Sequence, residues 1–86
     1  MFEVTHEERW LTSFERAVLH LGVRIRRREP GEHCVRYVLD HPTLDVHLSI
    51  GFTDEEIRLS SPWLARQYGR LAAQDLLQVQ IERSRI

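Results

Sequence analysis

The sequence predicts an α+β fold, a two-layer α-β-β-β-β-α arrangement in which a four-stranded antiparallel meander carries both helices on one face. Three observations predict it. A capped helical stripe opens the chain, four stretches between Val23 and Ser60 alternate apolar with polar residues, and helical spacing returns after Pro62.

The first helix is expected over "VTHEERWLTSFERAVLHLG". Thr5 followed by Glu8 has the spacing of a capping box, and Glu7 and Glu8 suit the positive end of the helix dipole. Trp10, Leu11, Phe14, Ala17, Val18 and Leu21 then share one stripe, and Gly22 supplies a left-handed stop.

From Val23 the period changes to two. Val23 and Ile25 alternate with Arg24 and Arg26; Val35, Tyr37 and Leu39 alternate with Cys34, Arg36, Val38 and Asp40. Leu44, Val46, Leu48 and Ile50 form a third set, and Ile57 and Leu59 a fourth. Strands with one apolar and one polar side suit a sheet covered on a single face. Turn signals at "EPGE", "DHPT" and "GFTDEE" separate them, which favours consecutive hairpins. The expected register sets Leu39 against Leu44, Tyr37 against Val46 and Val35 against Leu48, with Cys34 opposite Ser49 and Arg36 opposite His47.

The second helix is expected from Ser61 as N-cap and Pro62 at the first helical position. Leu64, Tyr68, Leu71, Ala72, Leu76 and Val79 are the stripe expected to cover the sheet. Gly69 weakens the middle or admits a close neighbour. Asp75 falls inside the stripe, where either an ion pair to a strand-end arginine such as Arg27 would satisfy it or it would act as a polar specificity device at an interface. This helix, near 33 Å long at 1.5 Å per residue, overhangs strands of roughly 20–27 Å.

The layout is similar to that of the double-stranded RNA-binding domain. That family's basic patch would fall at Ser61 to Arg66, where "SPWLAR" contains one arginine and no lysine, so its binding residues do not carry over.

At 86 residues the chain is one domain, residues 1–86, with 42% apolar and 29% charged residues, an ordinary globular balance. A formal charge of −1 and a pI near 6.5 argue against a dedicated nucleic-acid binder. All twelve cations are arginine, so each is a planar fork suited to carboxylate or phosphate. Lone Cys34 fits a reducing compartment. The N-terminus lacks the pattern of a signal peptide and no apolar run approaches a membrane span, so a cytoplasmic protein is expected.

Two surfaces are candidates for function. Trp63, Leu77, Ile81 and Ile86 place apolar side chains on the projecting helix away from its main stripe, which points to a protein partner, another copy included, as in a homodimer. The leading expectation is therefore a non-catalytic protein-binding module: an adaptor, inhibitor or accessory subunit. The alternative is nucleic-acid or anion binding through the open sheet face, where Arg24, Arg26, Arg28, Arg36 and Arg58 are expected to gather with His47. Asp45, Glu56 and Glu29 lie near enough to dilute that patch, and charge on an edge strand also protects against aggregation. No catalytic motif is legible, and neither a metal nor another cofactor is expected. Asp45, His47 and Cys34 supply at most an incomplete ligand set or a nucleophile–base pair on an open face.

Overall fold

Thr5 caps the first helix, its hydroxyl accepting from the Glu8 amide at 3.1 Å, which is one half of the expected capping box. The computed structural model describes the backbone of residues 3–84 and the side chains of residues 3–79. Helix α1 runs His6–His20, strands β1, β2 and β3 run Arg24–Pro30, Cys34–Asp40 and His47–Thr53, and helices α2 and α3 run Asp54–Leu59 and Pro62–Ser84. The class is α+β, with helices packed on an antiparallel sheet of three strands in the order β1-β2-β3. Gly22, at φ 87°, takes the left-handed conformation that ends α1.

The expected fourth strand is instead α2. Thr53 accepts from the Glu56 amide at 3.1 Å, and the Glu56 carboxylate accepts from the Thr53 amide at 3.3 Å, a complete capping box. Ile57 and Leu59, two apart, would share a face in a strand. In a helix they diverge, leaving Ile57 buried and Leu59 70% exposed.

The β2–β3 register also departs from expectation. Leu39 pairs with Leu48, Tyr37 with Ile50, Val35 with Phe52, Arg36 with Gly51 and Cys34 with Thr53. Each partner lies four residues beyond the expected one, and an even shift leaves every side chain on its expected face. The connection between the strands decides it. His41, 2% exposed, has its Nδ1 accepting from the amides of Thr43 at 3.1 Å and Leu44 at 3.0 Å, while its own amide donates to the Val46 carbonyl at 3.0 Å. Those bonds hold Leu44 and Val46 in the loop and delay β3 to His47. Replacing His41 with alanine strands two amides without their acceptor, so we expect a loss of about 1–3 kcal/mol in urea unfolding, with His41→Asn recovering part of it. Equal midpoints for the alanine variant and the wild type would remove this role.

Strand β1 is bulged at Arg26. Ile25 pairs with Leu39, but the next partners are Arg27 with Val38 and Arg28 with Tyr37. The extra residue inverts the facing of everything after it.

The core is aromatic. Phe52 of β3 meets Trp10 and Phe14 of α1 edge-on, with ring centroids 4.7 and 4.9 Å apart, and Phe14 lies 4.9 Å from Tyr37. The Trp10 indole donates to the Ser60 hydroxyl at 2.7 Å, which ties the α2–α3 junction to α1. Helix α3 lies chiefly against α1. Its buried row is Ala65, Gly69, Ala72, Ala73 and Leu76, and of the stripe expected to cover the sheet Leu71 is 57% exposed. Small residues let the helix axes approach, which turns the larger side chains toward the flanks. Asp75 is consequently exposed, and its expected ion pair with Arg27 is not formed: Asp75 lies beside β3, whereas Arg27 is on β1 at the other edge of the sheet and pairs with Glu29. With 23 residues, α3 is ~35 Å long against ~23 Å for each strand, and the principal extents are 51 × 23 × 23 Å.

Candidate functional site

The arginine face expected on the sheet is not assembled. The bulge at Arg26 sends Arg28 to the helix side, where its Nη1 donates to Glu15 of α1 at 3.3 Å. Arg58 leaves the sheet altogether, since it belongs to α2, and lies 3.9 Å from Glu55. Arg26 pairs with Asp40 at 3.0 Å, Arg27 with Glu29, and Arg24 donates to the Pro42 carbonyl at 3.2 Å. Arg36 and His47 remain exposed on the outer face, near opposite ends of the β2–β3 pair. The face thus presents a mixed, largely neutralised surface and not a run of free guanidinium groups.

The same register separates the residues of the hypothetical catalytic pair. Cys34 stands opposite Thr53 at one end of β2 and His47 opposite Asp40 at the other, six residues or ~20 Å apart. Among the described residues no three His, Cys, Asp or Glu side chains gather in a way that would hold a metal ion. No helix among the described residues is long and apolar enough to cross a membrane.

The residues expected to bind a partner divide. Trp63 is 61% exposed at the start of α3, whereas Leu77 is half-buried against the core. Ile81 and Ile86 lie outside the residues whose side chains the structure describes. Fourteen residues apart on α3, Trp63 and Leu77 point to nearly the same side of the helix, but Trp63 is exposed while Leu77 packs against the core. The rotation of α3 onto α1 fills the helix's inner face with alanine and glycine and leaves Leu71 outside.

Two grooves result from that rotation. One, of about 410 Å³, runs between β3 and α3 and is lined by Leu48, Ile50, Phe52, Tyr68 and Leu71, with Glu56 and Asp75 at its margins. Strand β3 is an edge strand, so the backbone along its free side has no partner within the sheet. The other groove, of about 500 Å³, lies between α1 and α3 and is lined by Arg16, His20, Trp63, Arg66 and Arg70, with Ser13 and Ala17 on its floor and Pro62 at its end. Among the described residues no carboxylate lines it and none of its three arginines forms an ion pair. Sequence reading passed over this cluster. The signal was present as Trp63, Arg66 and Arg70 at i, i+3 and i+7, opposite Arg16 and His20 at i and i+4. The denser arginine run in β1 drew the interpretation elsewhere.

Comparison with known proteins adds no relative: no family model, curated protein or solved structure matches the chain.

Proposed function

We propose that this chain is a non-catalytic protein-binding module that associates with a second copy of itself along the side formed by β3 and α3. The observation that carries this reading is Leu71, an exposed leucine standing over the apolar groove whose far wall is an unpaired strand edge. Edge pairing of β3 with β3 of a second copy would satisfy the free backbone groups of both, and a two-fold contact presents each Leu71 to the partner's groove. The interface stays on the C-terminal helix but moves from the Trp63–Leu77 side to the Leu71 side. The exposed free thiol of Cys34 supports a reducing, cytoplasmic setting.

Light scattering coupled to gel filtration tests this. The wild type is expected at about twice its 10.2 kDa chain mass, and Leu71→Asp at the single-chain mass with an unchanged circular dichroism spectrum. A wild type that stays at the single-chain mass at every concentration would remove the proposal.

A further inference from the structure

We propose that the groove between α1 and α3 binds a short single-stranded nucleic acid, with a base stacked on Trp63 and phosphates held by Arg16, Arg66 and Arg70. This site lies apart from the β3–α3 groove and does not depend on self-association.

Four features of the groove point to this ligand. Its cations are guanidinium groups free of carboxylate partners among the described residues, so their hydrogen-bonding forks are available to phosphate. Arg66 and Arg70 stand one turn, about 6 Å, apart on α3, and Arg16 faces them from α1 with His20 one turn beyond it. Trp63 presents an indole that is 61% exposed at the end of the α3 row, a stacking surface beside the charges. The remaining lining is a serine, an alanine and a proline, which lacks the apolar centre a protein interface requires.

The overall charge limits the footprint. Glu7, Glu8, Glu32 and Asp54 line a separate cleft between the start of α1 and the β1–β2 turn, and the whole chain carries −1. A long polyanion would run into that acidic side. A strand of a few nucleotides would meet only the three arginines, so binding is local and its salt dependence shallow.

The measurement is fluorescence anisotropy of a labelled octathymidylate. Three phosphate contacts predict that affinity falls about 20-fold between about 50 and 200 mM salt, and Arg66→Ala/Arg70→Ala, which leaves one, reduces that fall to about threefold. Trp63→Ala is expected to weaken binding about 5- to 150-fold, the worth of one stacked base. All three side chains are exposed, and circular dichroism melts verify that the variants fold. No saturable binding at about 50 mM salt overturns the proposal, as does a double variant that keeps the wild-type slope. A glutamate octapeptide that binds as tightly as the oligonucleotide also overturns it, because the groove would then select an acidic protein segment.

Discussion

Replacing Gly69 with valine is expected to cost more than about 3 kcal/mol, among the largest losses available from one substitution in this chain. A Cβ built at Gly69 stands 2.6 Å from the Phe14 carbonyl oxygen and 2.8 Å from the Ala17 Cβ. Neither obstacle is the flexible end of a side chain, so α1 and α3 would have to move apart. Separation would also loosen Trp10 and Phe14, which are fully buried on the same helix. Even Gly69→Ala, which gains about 1 kcal/mol of helix propensity, is expected to be destabilising by about 1–2 kcal/mol, because overpacking exceeds that gain. Gly51→Ala is the control. Its nearest obstacle is the Val35 carbonyl oxygen at an ordinary 3.6 Å, so no loss is expected there. Denaturant midpoints for the three variants check this directly. A Gly69→Val protein as stable as the wild type would mean that the helices do not approach as closely as described.

The reach of sequence reading into this fold follows from which patterns were redundant. Helix α1 was legible because its stripe, its Thr5 cap and Gly22 agree on the same boundaries. The inner faces of β2 and β3 were legible for the same reason: Val35, Tyr37, Leu39, Leu48 and Ile50 all lie on the side toward the helices. Register was not, since alternation accepts any even shift and only the His41 loop selects among them. The bulge was hidden by composition. After Ile25 the next three residues of β1 are all arginine, so no apolar side chain marks the phase and Arg28 was assigned to the wrong face. In α2 the Thr53–Glu56 spacing signals a helix start as plainly as Thr5–Glu8 does. The period-two appearance of Ile57 and Leu59 obscured it.

The stripe of α3 was placed in part, for a physical reason that bears on the candidate sites. Ala72 and Leu76 are buried as expected and Tyr68 packs against the core, but Leu71 is exposed. Hydropathy weights leucine far above alanine and glycine, so Leu71 was drawn into the stripe while Ala65, Gly69 and Ala73 were left out of it. Packing distance favours those small residues where two helices approach closely, and they face inward. Both proposed surfaces depend on that rotation. It exposes Leu71 beside β3, and it brings Arg66 and Arg70 alongside Arg16 and His20.

A second large effect is expected at alkaline pH from Tyr37. Its side chain is fully buried, and its hydroxyl donates to the Glu15 carboxylate at 2.7 Å, which Arg28 also reaches. Burial first, and then the bond to Glu15, raises the phenol above its ordinary value of 10.0. The unfolded chain therefore releases this proton at lower pH than the folded one. The stability contributed by Tyr37 is complete below about pH 10 and falls above it by up to about 1.4 kcal/mol per pH unit. Tyr37→Phe has no such proton to lose. At neutral pH it forgoes a hydrogen bond to a charged acceptor and should be less stable by about 1–2 kcal/mol. The two stability curves are then expected to meet near about pH 11, beyond which the phenylalanine variant is the more stable protein. Urea midpoints measured across this range decide the matter, with ultraviolet absorbance following tyrosinate formation by the two tyrosines, Tyr37 and Tyr68. Parallel curves for wild type and variant would show that Tyr37 ionises as readily folded as unfolded, and the buried phenol–carboxylate contact between sheet and α1 would have to be abandoned.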